Sequence, residues 1–153
     1  MSDRGDAASI RPFTDSLPMA LLQARESAMR LFRPMLAEHD LTEQQWRVLR
    51  ALSASASPME VGEIADATFL LRPSLTRILA NLAERDIVDR RPVEDDARRA
   101  AISLTRTGRA LVARVAPHSE RIYADIEAAF GRRELGELID RLTDLRKNLG
   151  DLP

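Results

Sequence analysis

The sequence predicts a mainly α fold with one small β-wing, on three observations. Apolar residues recur at steps of three and four along most of the 153-residue chain, as at positions 17, 20, 21, 24, 28, 31, 32 and 35. That is the spacing of one face of a helix. Between Ile87 and Leu104 the period lapses: two short extended runs, Ile87–Val88 and Ile102–Leu104, flank a polar turn over Glu94 to Arg99. Immediately before them, Leu75, Ile78, Leu79 and Leu82 restore the helical spacing. A helix feeding a two-stranded ribbon with arginines at its tip is the outline of a winged helix-turn-helix.

At the start of the chain, residues 1–15 mix charge, Gly, Ser and Pro without a period, as expected of a flexible N-terminal arm. Residues 16–40 carry the first amphipathic helix, which Pro34 should kink near its end. Thr42 and Gln45 have the spacing of a capping box, so a second helix starts there with Trp46, Leu49 and Leu52 inward. Ser57-Pro58-Met59-Glu60 repeats a start signal for a short helix through Val61, Ile64 and Ala65. The next helix has Pro73 in its first turn, where a missing N–H has no partner to lose. The winged unit then spans residues 41–105. Thr105 caps a long helix that Pro117 should bend and Gly131 ends; a last helix carries Leu135, Leu138, Ile139, Leu142, Leu145 and Leu149. Residues 106–149 thus present more leucine and isoleucine than a small winged unit needs, which fits helical dimerisation with residues 16–40.

Composition narrows the function. Hydrophobic residues make up 44% but aromatics only 4%, so aliphatic side chains must fill the core. No apolar stretch approaches a membrane span and no signal-peptide pattern opens the chain, so a cytoplasmic protein is expected. Cysteine is absent, which removes disulfides and thiolate chemistry. The two histidines, His39 and His118, have no metal-binding spacing, and neither a nucleophile elbow nor a phosphate loop occurs. We therefore expect no catalytic residue, metal or cofactor.

Net charge is −1, but local charge decides nucleic-acid binding. Leu70 to Arg106 holds eight arginines against six carboxylates. With its leucines inward, the helix over Pro73 to Glu84 turns Pro73, Arg77, Ala80 and Glu84 outward, flanked by Ser74, Thr76 and Asn81. Short hydroxylic side chains around an arginine suit close approach to phosphates and base edges. A helical interaction module without DNA binding would leave that surface unused.

The run Asp96 to Thr105, DARRAAISLT, resembles the D-x-R-x5-L-T wing signature of the MarR family, the multiple-antibiotic-resistance regulators. Ser74, Thr76, Arg77, Leu82 and Ile87 to Arg90 resemble the same family's recognition-helix pattern, and the likeness extends from about Leu17 to Leu149. The chain departs from it at Asp86, where the family usually has glycine. The resemblance implies a homodimeric repressor on double-stranded, pseudo-palindromic operator DNA, dimerised through its terminal helices. Half-sites would lie about one helical turn, roughly 34–36 Å, apart. Contacts would come from Pro73, Ser74, Thr76, Arg77 and Asn81 on the helix and from Arg98 and Arg99 on the wing, with Asp96 holding the wing in place. Lack of cysteine sets the chain apart from the family's peroxide-sensing branch.

Leu21 to Glu26, Phe32 to Pro34, Leu41 to Val48 and Leu71 to Thr76 look closer to one subgroup, the regulators of homoprotocatechuate degradation. That likeness implies a small phenolic acid such as hydroxyphenylacetate as effector, with Ser16, Arg25, Trp46, Arg50 and Tyr123 lining its site. Thr14 departs from a histidine of those relatives. The chemistry agrees: Trp46 and Arg50, four apart on one helix, can present a ring wall and a guanidinium fork to one cavity. Trp46 is equally suited to core packing.

Overall fold

The computed structural model describes residues 10–150. Most of the expected arm lies outside the described residues; within them Phe13–Asp15 forms one 3-10 turn. Among the described residues there are six α-helices: α1 (Leu17–Ala37), α2 (Glu43–Ala54), α3 (Val61–Thr68), α4 (Arg72–Glu84), α5 (Arg106–Phe130) and α6 (Arg132–Gly150). Three strands complete the fold: β1 (Met59–Glu60), β2 (Val88–Val93) and β3 (Asp96–Leu104).

Local chemistry explains the helix ends. Ser16 caps α1 by accepting from Met19 N–H. At α2, Thr42 Oγ1 accepts from Gln45 N–H and Gln45 Oε1 accepts from Thr42 N–H, so the capping box forms in full. Thr105 caps α5 by accepting from Gly108 N–H. Gly131 ends α5 at φ 105°, a conformation in which a side chain is strained.

Two expectations are corrected at the wing. The sheet has three antiparallel strands in the order β1-β3-β2, because Met59 and Glu60 pair with Ile102 and Ala101. The start signal at Ser57 is therefore displaced: α3 begins at Val61 behind a capping box formed by Glu60 and Glu63. The polar turn is also shorter than Glu94 to Arg99. Only Glu94 and Asp95 turn the chain, and Arg98 and Arg99 stand on β3. Pro92, which cannot donate to a ladder, sits at the register shift between Pro92 and Val93.

One core joins these parts. Leu75, Leu79 and Leu82 of α4 are buried against Val48, Leu49, Ile64, Ile87, Val88, Ile102 and Leu104, with Leu36 of α1 and Leu111 and Val115 of α5 closing it. Each such leucine contributes about 1.5–3 kcal/mol by leaving water. The terminal helices behave differently. No residue of α6 is buried, and Leu138, Ile139, Leu142 and Leu149 are exposed. On α1 only Phe32, Met35 and Leu36 are buried, while Leu17, Leu21, Leu22 and Leu31 stay exposed.

A corner locks α4, the wing and α5 together. After α4 the chain reverses through Asp86 at φ 55°, a region that Asp tolerates better than most residues. Thr107 Oγ1 donates to the Asp86 carboxylate at 3.1 Å, and Thr105 Oγ1 donates to Asp86 O at 2.6 Å. Gly108 permits the approach: a Cβ there would meet Ile87 O at 2.1 Å. We expect Asp86→Ala to lose about 1 kcal/mol in urea unfolding, from the lost Thr107 hydrogen bond and the poorer tolerance of alanine for this region. Asp86→Gly should lie close to the wild type, since its backbone relief offsets the lost Thr107 bond.

Candidate functional site

The structure offers two functional surfaces: an outward face around α4 and the wing, and a cavity between α1, α2, α3 and α5. On α4, burial of the leucine stripe fixes the rotation of the helix. Pro73, Thr76 and Arg77 are exposed and Ser74 is half-buried beside them. Thr76 Oγ1 donates to Arg72 O at 2.9 Å, leaving its lone pairs outward. Arg77 takes part in no ion pair among the described residues. A free guanidinium beside hydroxyls and helix N–H groups is a donor surface, suited to phosphates and to guanine edges.

Asn81 and Arg99 are engaged within the chain. Gln45 Nε2 donates to Asn81 Oδ1 at 2.8 Å, so half of the Asn81 amide tethers α4 to α2. Arg99 Nε donates to Glu60 Oε2 at 2.9 Å, with a second short contact from Nη2 to Oε1. That fork clamps β3 to the start of α3. It holds Glu60 below the usual carboxylate range and raises Arg99 above the ordinary arginine value. Both residues remain exposed, but each also anchors the chain to a partner 36 or 39 residues away. Asp96 Oδ1 accepts from Arg98 N–H at 2.9 Å and so shapes the wing turn. The Arg98 side chain is exposed and forms no ion pair among the described residues.

The cavity measures about 540 Å³ and is walled by Met29 and Phe32 of α1, Trp46, Arg47 and Arg50 of α2, Met59, Ala67 and Tyr123. It thus lies between the winged unit and the terminal helices. The structure brings Trp46, Arg50 and Tyr123 together there. Trp46 is only 8% exposed, so it serves core and wall at once. Tyr123 packs edge-on to Phe32, ring centroids 5.2 Å apart. Arg50 Nη1 donates to Tyr123 Oη at 3.3 Å, and among the described residues Arg50 meets no carboxylate. One guanidinium with unused donors over an aromatic wall can hold an aromatic carboxylate.

Ser16 and Arg25 do not line this cavity. Ser16 is occupied as the α1 cap, and Arg25 pairs with Glu26 and, through a short contact, with Glu43. Arg33 Nε donates to Glu43 Oε2 at 3.0 Å, while its two terminal nitrogens fork onto Glu26. Burial pushes the Glu43 carboxylate up, but the hydrogen bonds from Arg25 and Arg33 outweigh it and hold it below the usual range. The bond from Arg33 does the same for Glu26. Sequence reasoning missed Arg47, Glu43, Phe32 and Met29 as lining residues. Phe32 and Met29 carried a signal, since both share the α1 face that meets α2.

An exposed helix with free arginine and hydroxyl donors, set beside a wing that carries the exposed Arg98, on a winged helix-turn-helix, defines a DNA-binding transcriptional regulator. The chain belongs to the MarR family. Residues 39–99 match that family's profile. It is 44% identical over 130 residues to the homoprotocatechuate degradative operon repressor of Escherichia coli, covering 85% of this chain and 87% of that one. Its fold matches the crystal structure of the transcriptional regulator PA4135 with a TM-score of 0.84 and 40% identity, over 94% of this chain and 100% of that one. It also matches NadR in complex with 4-hydroxyphenylacetate, with a TM-score of 0.77 and 34% identity over 90% and 96%.

The two wing arginines separate by experiment. Arg99→Ala should speed amide hydrogen exchange over β3 by releasing Glu60, whereas Arg98→Ala should leave it at the wild-type rate. The Glu60–Arg99 contribution is present above the ordinary carboxylate pKa and lost as pH falls through the lowered folded value. Equal exchange in the two variants would remove the clamp.

Proposed function

We propose that this protein is a homodimeric cytoplasmic repressor whose hold on a pseudo-palindromic operator weakens when a small phenolic carboxylate fills the cavity. The observation that carries the effector reading is the cavity itself: Arg50, free of carboxylates among the described residues, faces an aromatic wall of Trp46, Phe32 and Tyr123. The likeness to NadR, solved with 4-hydroxyphenylacetate, and to a repressor of homoprotocatechuate degradation supports that ligand class. Arg50 would fork onto the carboxylate while Trp46 covers the ring. The exposed leucines of α1 and α6 supply an apolar face for a second copy, in keeping with the terminal-helix dimer.

On DNA, two α4 helices related by the two-fold axis would enter successive major grooves with Ser74, Thr76 and Arg77 foremost. Arg98 of each wing would lie along the flanking minor groove, where narrow A·T tracts concentrate negative potential. The effector acts only if it binds the two conformations unequally. Regulation of this kind assigns no catalytic role to any residue.

Two measurements test the reading. Trp46 is the only tryptophan, so titration with 4-hydroxyphenylacetate, 3,4-dihydroxyphenylacetate and p-coumarate should give a saturable fluorescence change for one of them and none for a non-phenolic acid. Flat traces throughout would remove the effector. With a duplex selected from a random library, Arg98→Ala should weaken binding about tenfold and reduce the slope of log affinity against log salt by about two, one phosphate per subunit. An unchanged slope would remove the wing contact.

A further inference from the structure

We propose that Arg47 is the positioning residue that couples the cavity to the recognition helix, by holding the carbonyl that ends α3 until an anionic effector draws it away. This rests on the reading of the cavity as an effector site.

Among the described residues, Arg47 is the cavity-lining side chain that also holds the backbone at the helix-turn-helix turn. It is a wall of the cavity, next in sequence to Trp46 and one turn from Arg50. Its Nη1 donates to Thr68 O at 2.9 Å. Thr68 is the last residue of α3, so this carbonyl has no partner within its own helix. A cation is also favoured there by the helix dipole. Thr68 is itself buried, and its hydroxyl donates to Ile64 O at 2.6 Å. The end of α3 is therefore clamped from both sides, by its own turn and by Arg47.

The link from Thr68 to α4 is short. Phe69 adopts φ 54°, an unusual conformation for a bulky residue, and α4 begins at Arg72. Three residues separate the clamped carbonyl from the helix that meets DNA. A shift of Thr68 O is passed directly to the first turn of α4, where Pro73 and Ser74 lie.

The same guanidinium also meets a charge on its own helix. Its Nη2 lies 3.7 Å from Glu43, the carboxylate that also gathers Arg25 and Arg33 from α1. Glu43 lines the cavity as well. A carboxylate forked onto Arg50 also brings negative charge into the wall that holds Glu43, which a guanidinium placed between the two relieves. Arg47 is within the same wall and is held to Thr68 by a neutral carbonyl alone. An anion binds a guanidinium more strongly than a carbonyl does. Effector entry thus moves Arg47 off Thr68 O and releases the turn before α4.

The test is a linkage cycle on the full-length dimer, with 4-hydroxyphenylacetate as ligand and the selected duplex as DNA. The quantity read is the ratio of ligand affinities for free and duplex-bound protein, which lies at about 5- to 150-fold in typical coupled systems. In Arg47→Ala that ratio should fall most of the way to one, whatever happens to either affinity alone. A merely structural role for Arg47 would lower duplex affinity and leave the ratio at the wild-type value, and that result overturns the proposal while the effector reading stands. A ratio of one in the wild type overturns both. Hydrogen exchange on the wild type gives a second reading that needs no variant. Adding 4-hydroxyphenylacetate should speed amide exchange over Phe69 to Ser74, and unchanged exchange there overturns the coupling.

Discussion

Burial of the α4 leucine stripe is the constraint on which the rest of this molecule depends. Leu75, Leu79 and Leu82 are each almost wholly removed from water, and removing any one would leave a cavity costing about 2–5 kcal/mol. Because helix side chains are fixed to the backbone at regular angular steps, about 3.6 residues to the turn, seating those three also decides which residues face outward. Arg77 and Thr76 are held outward because Leu75 and Leu79 are not free to turn. The same core touches α1, α2, α5 and both long strands, so the DNA face and the cavity are two sides of one packed unit.

Polar contacts then set positions that apolar packing leaves loose. Glu60 with Arg99 fixes the wing, Gln45 with Asn81 fixes the far end of α4, and Thr105 with Asp86 and Gly108 fixes the corner between them. Most of these are exposed or half-exposed and contribute little to stability singly. Their effect is geometric. His39 and His118, far apart in sequence, come within 3.3 Å and tie the α1–α2 turn to α5 in the same manner.

Much of this was legible in the sequence where the physics is local. The capping box at Thr42, the cap at Thr105 and the break at Gly131 depend on neighbours within a few residues. The leucine stripe of α4 is equally local. The two-residue strand β1 was not legible, because Met59 and Glu60 are extended only by virtue of Ile102 and Ala101 across the sheet. The wing turn was read too long because Arg98, Arg99, Ala100 and Ala101 have no strong strand preference, and pairing with β2 overrides it. The site divides in the same way. Trp46 and Arg50 share a helix face by spacing alone, whereas the engagement of Arg25, Arg99 and Asn81 by Glu43, Glu60 and Gln45 depends on which elements pack together. No spacing rule reports that.

The 19-residue helix α6 has no fully buried residue. In the proposed terminal-helix dimer its exposed leucines are covered by the second copy, so part of the free energy of folding would be supplied by mass action rather than by sequence. The melting midpoint of such a protein rises with its concentration, as that of a monomer does not. A regulator made in few copies is then least stable when scarcest, and its unpartnered subunits show proteases and chaperones a long apolar stripe. In that dimer scarcity would shorten its lifetime as well as thin its numbers, which would steepen the dependence of operator occupancy on synthesis.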